Sequence, residues 1–481
     1  MKRFLWLGCV LLIYVICTGC GDTFRPIIIP NPPAFPNPQA AHTVVAINDN
    51  APASGPDTVF GTAMVIDVSG DSDESIANVG LAPVHAVQQS ASEILVVNHS
   101  VTGALRDSVT KLNFSNTSIG STSTISMPPD SAPNFVATTE ASEAYVSLPN
   151  YLDPNTNTVV PSIAVVSTNS NSITNTIPLG AGAAPVAIAE TLDTKKLYVA
   201  NYGFGTISGF NTVGASARVI NGALTNKPIW LAARSDSQAV YVLEETTGRL
   251  AWINTSTTAG PDTLAETAIN VPGANIMTYD PNLLRLYIPG AQEVAIVDIS
   301  QSPPVYLAGG PLPITAVSPS LRSAGDPCQL TSIGTLSVVG VAALPDGSRA
   351  YVGAYYTDSN DNICPQVTVI NATNNAIETP SIPIPGFPDA TNPVSIYYVP
   401  NCGNTRDVVG PLGSGFRFMM AAGGDSTRAY MSSCDGGLVD IINTSTEAYL
   451  VSITAPIGIR QIIPPAVQNP PMNPVFLIAG P

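Results

Sequence analysis

Side chains able to do acid–base, thiol or metal chemistry are few in this 481-residue chain and lie far apart. The histidines are His42, His85 and His99 alone. No G-x-S-x-G nucleophile motif occurs, and no C-x-x-C-H run for covalent haem. Past Cys20 the cysteines are Cys328, Cys364, Cys402 and Cys434, an even number confined to the last third. None forms a C-x-x-C pair, so the usual thiolate metal sites are absent, and three disulfide pairings are open. Cys328–Cys364 with Cys402–Cys434 is the pairing expected here, because each pair flanks a long insertion whose closure gains from a cross-link. Two acidic stretches offer the alternating oxygens that a hard cation needs. They are "DSNDN", with Asp358, Asn360 and Asn362, and "GDSDES", with Asp71 and Asp73. In the first, Ile363 stands where a calcium loop has its turn glycine, and no Glu follows. Exposed polar turns explain both stretches equally well. No cofactor is therefore expected, with calcium the one that these residues admit.

The elements that would position these groups are repeated strands. "SEILVVNHS" from Ser92, "SEAYVSLPN" from Ser142, "KKLYVANYG" from Lys195, "QAVYVLEET" from Gln238, "LRLYIPGAQ" from Leu284, "SRAYVGAYY" from Ser348 and "TRAYMSSCD" from Thr427 share one plan. Each alternates around Leu95, Tyr145, Tyr198, Tyr241, Tyr287, Tyr351 or Tyr430. A strand precedes each copy, as in "PVAIAET", a third follows, as in "TISGFNT", and often a fourth. Period-two alternation closed by Asn, Asp, Gly or Ser marks half-buried antiparallel strands. Four strands per unit, repeated every 40 to 80 residues or so, predict an all-β fold, a β-propeller of four-stranded blades. Radial stacking lets each sheet bury both faces on its neighbours, with the tyrosines packed between blades.

The ends of the chain fix the blade count. Complete units begin near Pro83, Pro133, Pro185, Pro228, Ala274, Val338 and Phe416, which gives seven. "TAMVIDVSGDSDESIANV" from Thr62 reads as third and fourth strands, and "PIGIRQII" with "NPVFLIAG" as first and second. N- and C-terminal strands sharing one blade favour eight blades over seven. "KLYVANYGFGTISGFNT" and "PDGSRAYVG" resemble the repeat of the YVTN family of β-propellers, and the likeness extends over nearly the whole mature chain. The resemblance implies a scaffold found in surface-layer and envelope proteins; it is specific for fold rather than for activity. On such a fold His85 falls on an innermost strand, where side chains can face the central channel. A lactonase-type propeller would gather His, Arg and carboxylate groups there, with Pro-His at this strand. Here the order is Pro83, Val84, His85, and no other unit repeats it. His85 is the one candidate catalytic residue, and no catalytic set is assigned.

The first residues read as an export signal. Lys2 and Arg3 precede the apolar run "FLWLGCVLLIYVIC", and Thr18 and Gly19 before Cys20 resemble a bacterial lipobox. That implies a signal peptide over 1–19, a lipidated Cys20, a Pro-rich spacer to residue 41 and a propeller over 42–481. The formal charge is −16, about −18 without Lys2 and Arg3, which disfavours nucleic acid. The expected protein is a monomer held at the bacterial cell envelope by its lipid anchor alone, periplasmic or surface-facing. It would act as a binding scaffold for an envelope protein or polysaccharide. A lactonase-like hydrolase at the channel and a structural surface-layer component are the alternatives. The insertions 310–337 and 387–415 are expected to project from one rim as recognition loops.

Overall fold

The computed structural model describes residues 43–49, 60–99, 107–115, 118–140, 142–255, 261–329, 331–388, 418–454 and 473–480. All belong to the compact unit Pro33–Pro481. The signal segment, Cys20, the spacer, His42 and Cys402 lie outside them.

Eight sheets, each built on four antiparallel strands and three of them with a short fifth strand added, form an eight-bladed propeller. Blades 1 to 7 begin on Pro83–Ser90, Val136–Ala137, Pro185–Glu190, Pro228–Ala233, Thr278–Asp280, Ser337–Ala343 and Phe418–Ala422. These innermost strands fall at or within a few residues of the expected unit starts. The repeated motif is the second strand of each blade, as in Lys196–Asn201, all six of whose residues are buried. Tyr145, Tyr198, Tyr241, Tyr287, Tyr351 and Tyr430 are fully buried within these strands. Tyr198 donates to Asp262 Oδ2 at 2.8 Å, and Tyr241 and Tyr351 donate to the carbonyls of Ile299 and Thr444 at 3.4 Å each. Burial pushes the Tyr241 and Tyr287 hydroxyls up to about 12, so these rings remain neutral packing groups.

The eighth blade departs from expectation. Its three outer strands, Thr43–Asn48, Phe60–Asp67 and Ser72–Leu81, come from the N-terminal end of the chain, and only the innermost, Pro474–Gly480, comes from the C-terminal end. Thr43–Asn48 ("TVVAIN") is buried at every residue, so it lacks the alternation that marks a half-buried strand. "PIGIRQII" lies outside the described residues. Closure is reinforced between blades 7 and 8, where Arg428 binds Asp71 through two bonds of 2.7 and 2.8 Å.

Residues 310–337 are anchored at several points, while Leu321 and Ile333 stay 61 % and 46 % exposed. Ile314, Val317, Cys328 and Leu336 are buried, and Arg322, 3 % exposed, donates to the carbonyls of Ile384 and Pro365. Those carbonyls and the Cys328–Cys364 disulfide draw the insertion down onto blade 6. Between blades 3 and 4 the chain crosses over: Ala217–Arg218 ends blade 3, and Ile220–Asn221 pairs in parallel with the outer strand of blade 4.

Candidate functional site

In an up-and-down blade the first strand starts on the same face where the loop between second and third strands lies. That face and the axis are the two places where side chains from many blades converge.

At the axis, the innermost strands of blades 1, 3 and 4 shift register just after their leading proline, at Pro83/His85, Pro185/Ala187 and Pro228/Trp230. Such an irregularity re-aims the next side chain. His85 stacks on Phe135 with ring centroids 4.0 Å apart, meets Phe476 edge-on at 4.9 Å and approaches Trp230 at 6.4 Å. Phe135 in turn meets Trp230 at 5.6 Å. These rings come from blades 1, 2, 4 and 8. Blades 4 and 8 stand opposite one another in an eight-membered ring, so rings that meet between them fill the axis. His85 is 5 % exposed, and the N–H of Val136 donates to its Nδ1 at 3.4 Å. Burial alone lowers its pKa to about 3, and no charged group contributes. A neutral imidazole among aromatic rings is a packing group, and among the described residues no Arg or carboxylate joins it in a catalytic set. The plug has a signal in the sequence that a search for catalytic types misses: Pro83-Val84-His85, Pro133-Asn134-Phe135, Pro228-Ile229-Trp230 and Pro474-Val475-Phe476 all place a ring two residues after a proline.

The other candidate groups are occupied. Asp71 is held by Arg428, and Asp73 lies on the outer strand of blade 8. Asp358 accepts the N–H groups of Asn360 and Asn362 at 2.8 Å each and the Asn362 amide at 3.0 Å. Burial would raise this carboxyl, but the bonds from Asn362 outweigh it and hold it below the usual carboxylate range. It thereby caps its own turn. Cys328, Asp358 and Cys364 form the one cluster of metal-ligand type among the described residues, but the two sulfurs are joined as a disulfide. Cys434 is disulfide-bonded as well, while the partner expected for it, Cys402, lies outside the described residues. His99 is buried directly after the second strand of blade 1.

On the loop face the exposed apolar groups are spread over several blades: Phe60 opens the third strand of blade 8, Leu321 and Ile333 lie in the connection into blade 6, and others lie at blades 2 and 3. In blade 2 the connection carries a small hairpin whose cross-strand pair, Leu152 and Val159, is 46 % and 50 % exposed. In blade 3 the turn after Asn201 presents Phe204, 48 % exposed. Gly203 makes this turn possible: its N–H donates to the Ala183 carbonyl at 2.8 Å, and a Cβ there would sit 1.9 Å from the Gly182 carbonyl oxygen. Beside it, Tyr202 donates its hydroxyl to the Glu245 carboxylate, 2.9 Å from each oxygen, and the Lys227 ammonium stands 4.3 Å above the Tyr202 ring.

Together these features define an eight-bladed propeller with aromatic rings packed at its axis. No family model matches the chain, and no curated protein does. Solved structures do. Dihydro-heme d1 dehydrogenase NirN, in complex with DHE, is similar at a TM-score of 0.54 and 11 % identity, over 94 % of this chain and 78 % of that one. Apo AztD from Citrobacter koseri is similar at 0.52 and 11 %, over 90 % and 97 %. The periplasmic gluconolactonase PpgL of Pseudomonas aeruginosa is similar at 0.45 and 12 %, over 72 % and 95 %. At such identities the likeness is one of fold.

Proposed function

We propose that this protein is an exported, lipid-anchored propeller of the cell envelope that binds an envelope polymer, protein or polysaccharide, through its loop face. The observation that carries this reading is the axis. The place where a hydrolase of this architecture would hold its substrate is taken by His85, Phe135, Trp230 and Phe476, and the imidazole is neutral. The disulfide suits an oxidising compartment. Cys20 supplies the anchor, the YVTN-like repeats the scaffold, and the charge of −16 disfavours nucleic acid. The protein works as a monomer without a cofactor.

Two assays on the full chain test the reading. A photo-crosslinker at position 204 should capture an envelope component that a crosslinker at Val213, on the opposite face, does not; equal capture at both positions overturns it. Hydrolysis of gluconolactone or its 6-phosphate that is lost in His85→Phe, a ring that keeps the stack, would restore the lactonase reading. Assembly into ordered two-dimensional arrays would instead favour a surface-layer role.

A further inference from the structure

We infer that the seam between blades 2 and 3 is a pH-sensitive joint in the ring, tight while the Glu190 carboxyl is protonated and loosened once it ionises. The inference goes beyond the recognition role and does not depend on it.

Cations hold most of the ring together. Lys111 of blade 1 donates to the Thr168 carbonyl of blade 2 at 3.1 Å. Arg218 of blade 3 binds Asp262 of blade 4, and Arg234 of blade 4 donates to the Ile299 carbonyl of blade 5. Arg285, Arg349 and Arg428 of blades 5, 6 and 7 reach the Ala372 carbonyl, Glu447 and Asp71 of the blades that follow. Blades 8 and 1 are joined through the hydroxyls of Ser75 and Thr110, which accept the N–H groups of Ile119 and Gly80.

Between blades 2 and 3 the sign of the charge is reversed. Two residues before the buried tyrosine, where blades 3, 5, 6 and 7 have Lys196, Arg285, Arg349 and Arg428, blade 2 has Glu143. Among the described residues no basic side chain bonds across this seam. Glu190, 4 % exposed at the end of the innermost strand of blade 3, accepts the Thr139 N–H of blade 2 at 2.8 Å on its Oε2. That bond sets it beside Glu140, the next residue along, and near Glu143, whose carboxylate accepts the Tyr145 hydroxyl. The other elements packed on its strand bring no compensating charge. Leu197 lies directly opposite Glu190 in its own sheet, and Lys196 and Tyr198, to either side of Leu197, turn towards Asp262 of blade 4. The strand Pro228–Ala233 has no ionisable residue. A charge on Glu190 has therefore lost water and meets charges of its own sign, against the bonds from Thr139. Burial, with Glu140 and Glu143 behind it, raises the carboxyl to about 7. Once ionised it is stabilised by water, which reaches it when residues 138–140 lift from the end of blade 3.

The test is hydrogen exchange of the full chain at pH 5.5 and pH 8, corrected for intrinsic rates. It is read in residues 136–140 and 185–191, with Pro228–Ala233 and Thr278–Asp280 as controls. A carboxyl that titrates at 4.5 in the open seam and at about 7 in the closed one makes opening about thirtyfold more frequent at pH 8. The controls should change far less. Glu190→Gln should abolish the rise, and Glu143→Arg, which supplies the cation that other seams have, should reduce it. A rise of equal size in the controls, or one undiminished in Glu190→Gln, overturns the inference. Should Glu190→Gln fail to fold, an undiminished rise in Glu143→Arg overturns it in the same way.

Discussion

Asp440 is a carboxyl in surroundings that oppose its charge. It is 1 % exposed on the third strand of blade 7, paired across to Met431 and Ser452. Burial raises it to about 7, and the bond from the Ser452 hydroxyl, 2.6 Å long, offsets this only in part. In the unfolded chain it titrates near 3.8. Above that pH the unfolded chain releases a proton that the folded one keeps, so stability falls as pH rises from about 4 towards 7. Full ionisation in the folded state corresponds to roughly 4 kcal/mol. Glu190, raised to about 7 by burial and then by Glu140 and Glu143 against the Thr139 bonds, acts in the same direction. Asp440→Asn should therefore flatten a good part of the slope of denaturation midpoint against pH between 4 and 8, and should be more stable than wild type at pH 8; an unchanged slope refutes the assignment. Arg218 poses the opposite case. Its guanidinium binds both oxygens of the fully buried Asp262, at 2.8 and 2.7 Å, and Tyr198 donates to the same carboxylate. Tyr198→Phe removes one hydrogen bond and should cost about 1 kcal/mol, whereas Arg218→Ala strands a buried charge and should cost roughly 3 kcal/mol or more. Equal losses in urea melts would mean that Asp262 is protonated in the fold.

Among the elements, the 310–337 insertion depends most on one covalent bond. The Cys328–Cys364 disulfide closes a span of 36 residues, which by loop entropy is worth roughly 4 kcal/mol in the unfolded state. The double variant Cys328→Ser, Cys364→Ser should lose much of that. Hydrogen exchange should rise first at Val317 and Arg322, which hold the insertion against Gln366 and blade 6. Uniform loosening of all blades would argue against a local role. The same elements show what could be read from residue order. The tyrosine-centred strands are legible because one plan recurs seven times, although they are buried on both faces. Thr43–Asn48 is buried in the same way but is not legible, since "TVVAIN" lacks the tyrosine and the polar lead of the repeat. The insertion's descent onto blade 6 rests on Arg322 reaching two carbonyls more than 40 residues away, a fact of space that no spacing encodes. The axial plug lies between: its Pro-x-ring pattern is visible, but that His85 and Trp230 meet requires knowing that their blades close a ring.

For the whole molecule, closure joins segments far apart in sequence. Val45 pairs with Ile478, and Asp71 binds Arg428 across 357 residues. Deleting residues 474–480 would leave the edge of Thr43–Asn48 open and remove Phe476 from the axial stack. The shortened chain should melt well below the intact one and in more than one step, because an open row of blades behaves as a series of neighbour contacts. A single transition at the wild-type temperature would mean that the clasp adds little.

That clasp also bears on time. Every blade between the two ends of the eighth must be in place before the last contact can form, which makes folding slow for a chain of this contact order. The same geometry works in reverse. With Pro474–Gly480 seated between blades 7 and 1 and a ring at its core side, no blade can peel away until that strand detaches. Resistance to proteases should thus be governed by the rate at which one seven-residue segment lets go, and the protein's lifetime by a latch rather than by the sum of its contacts.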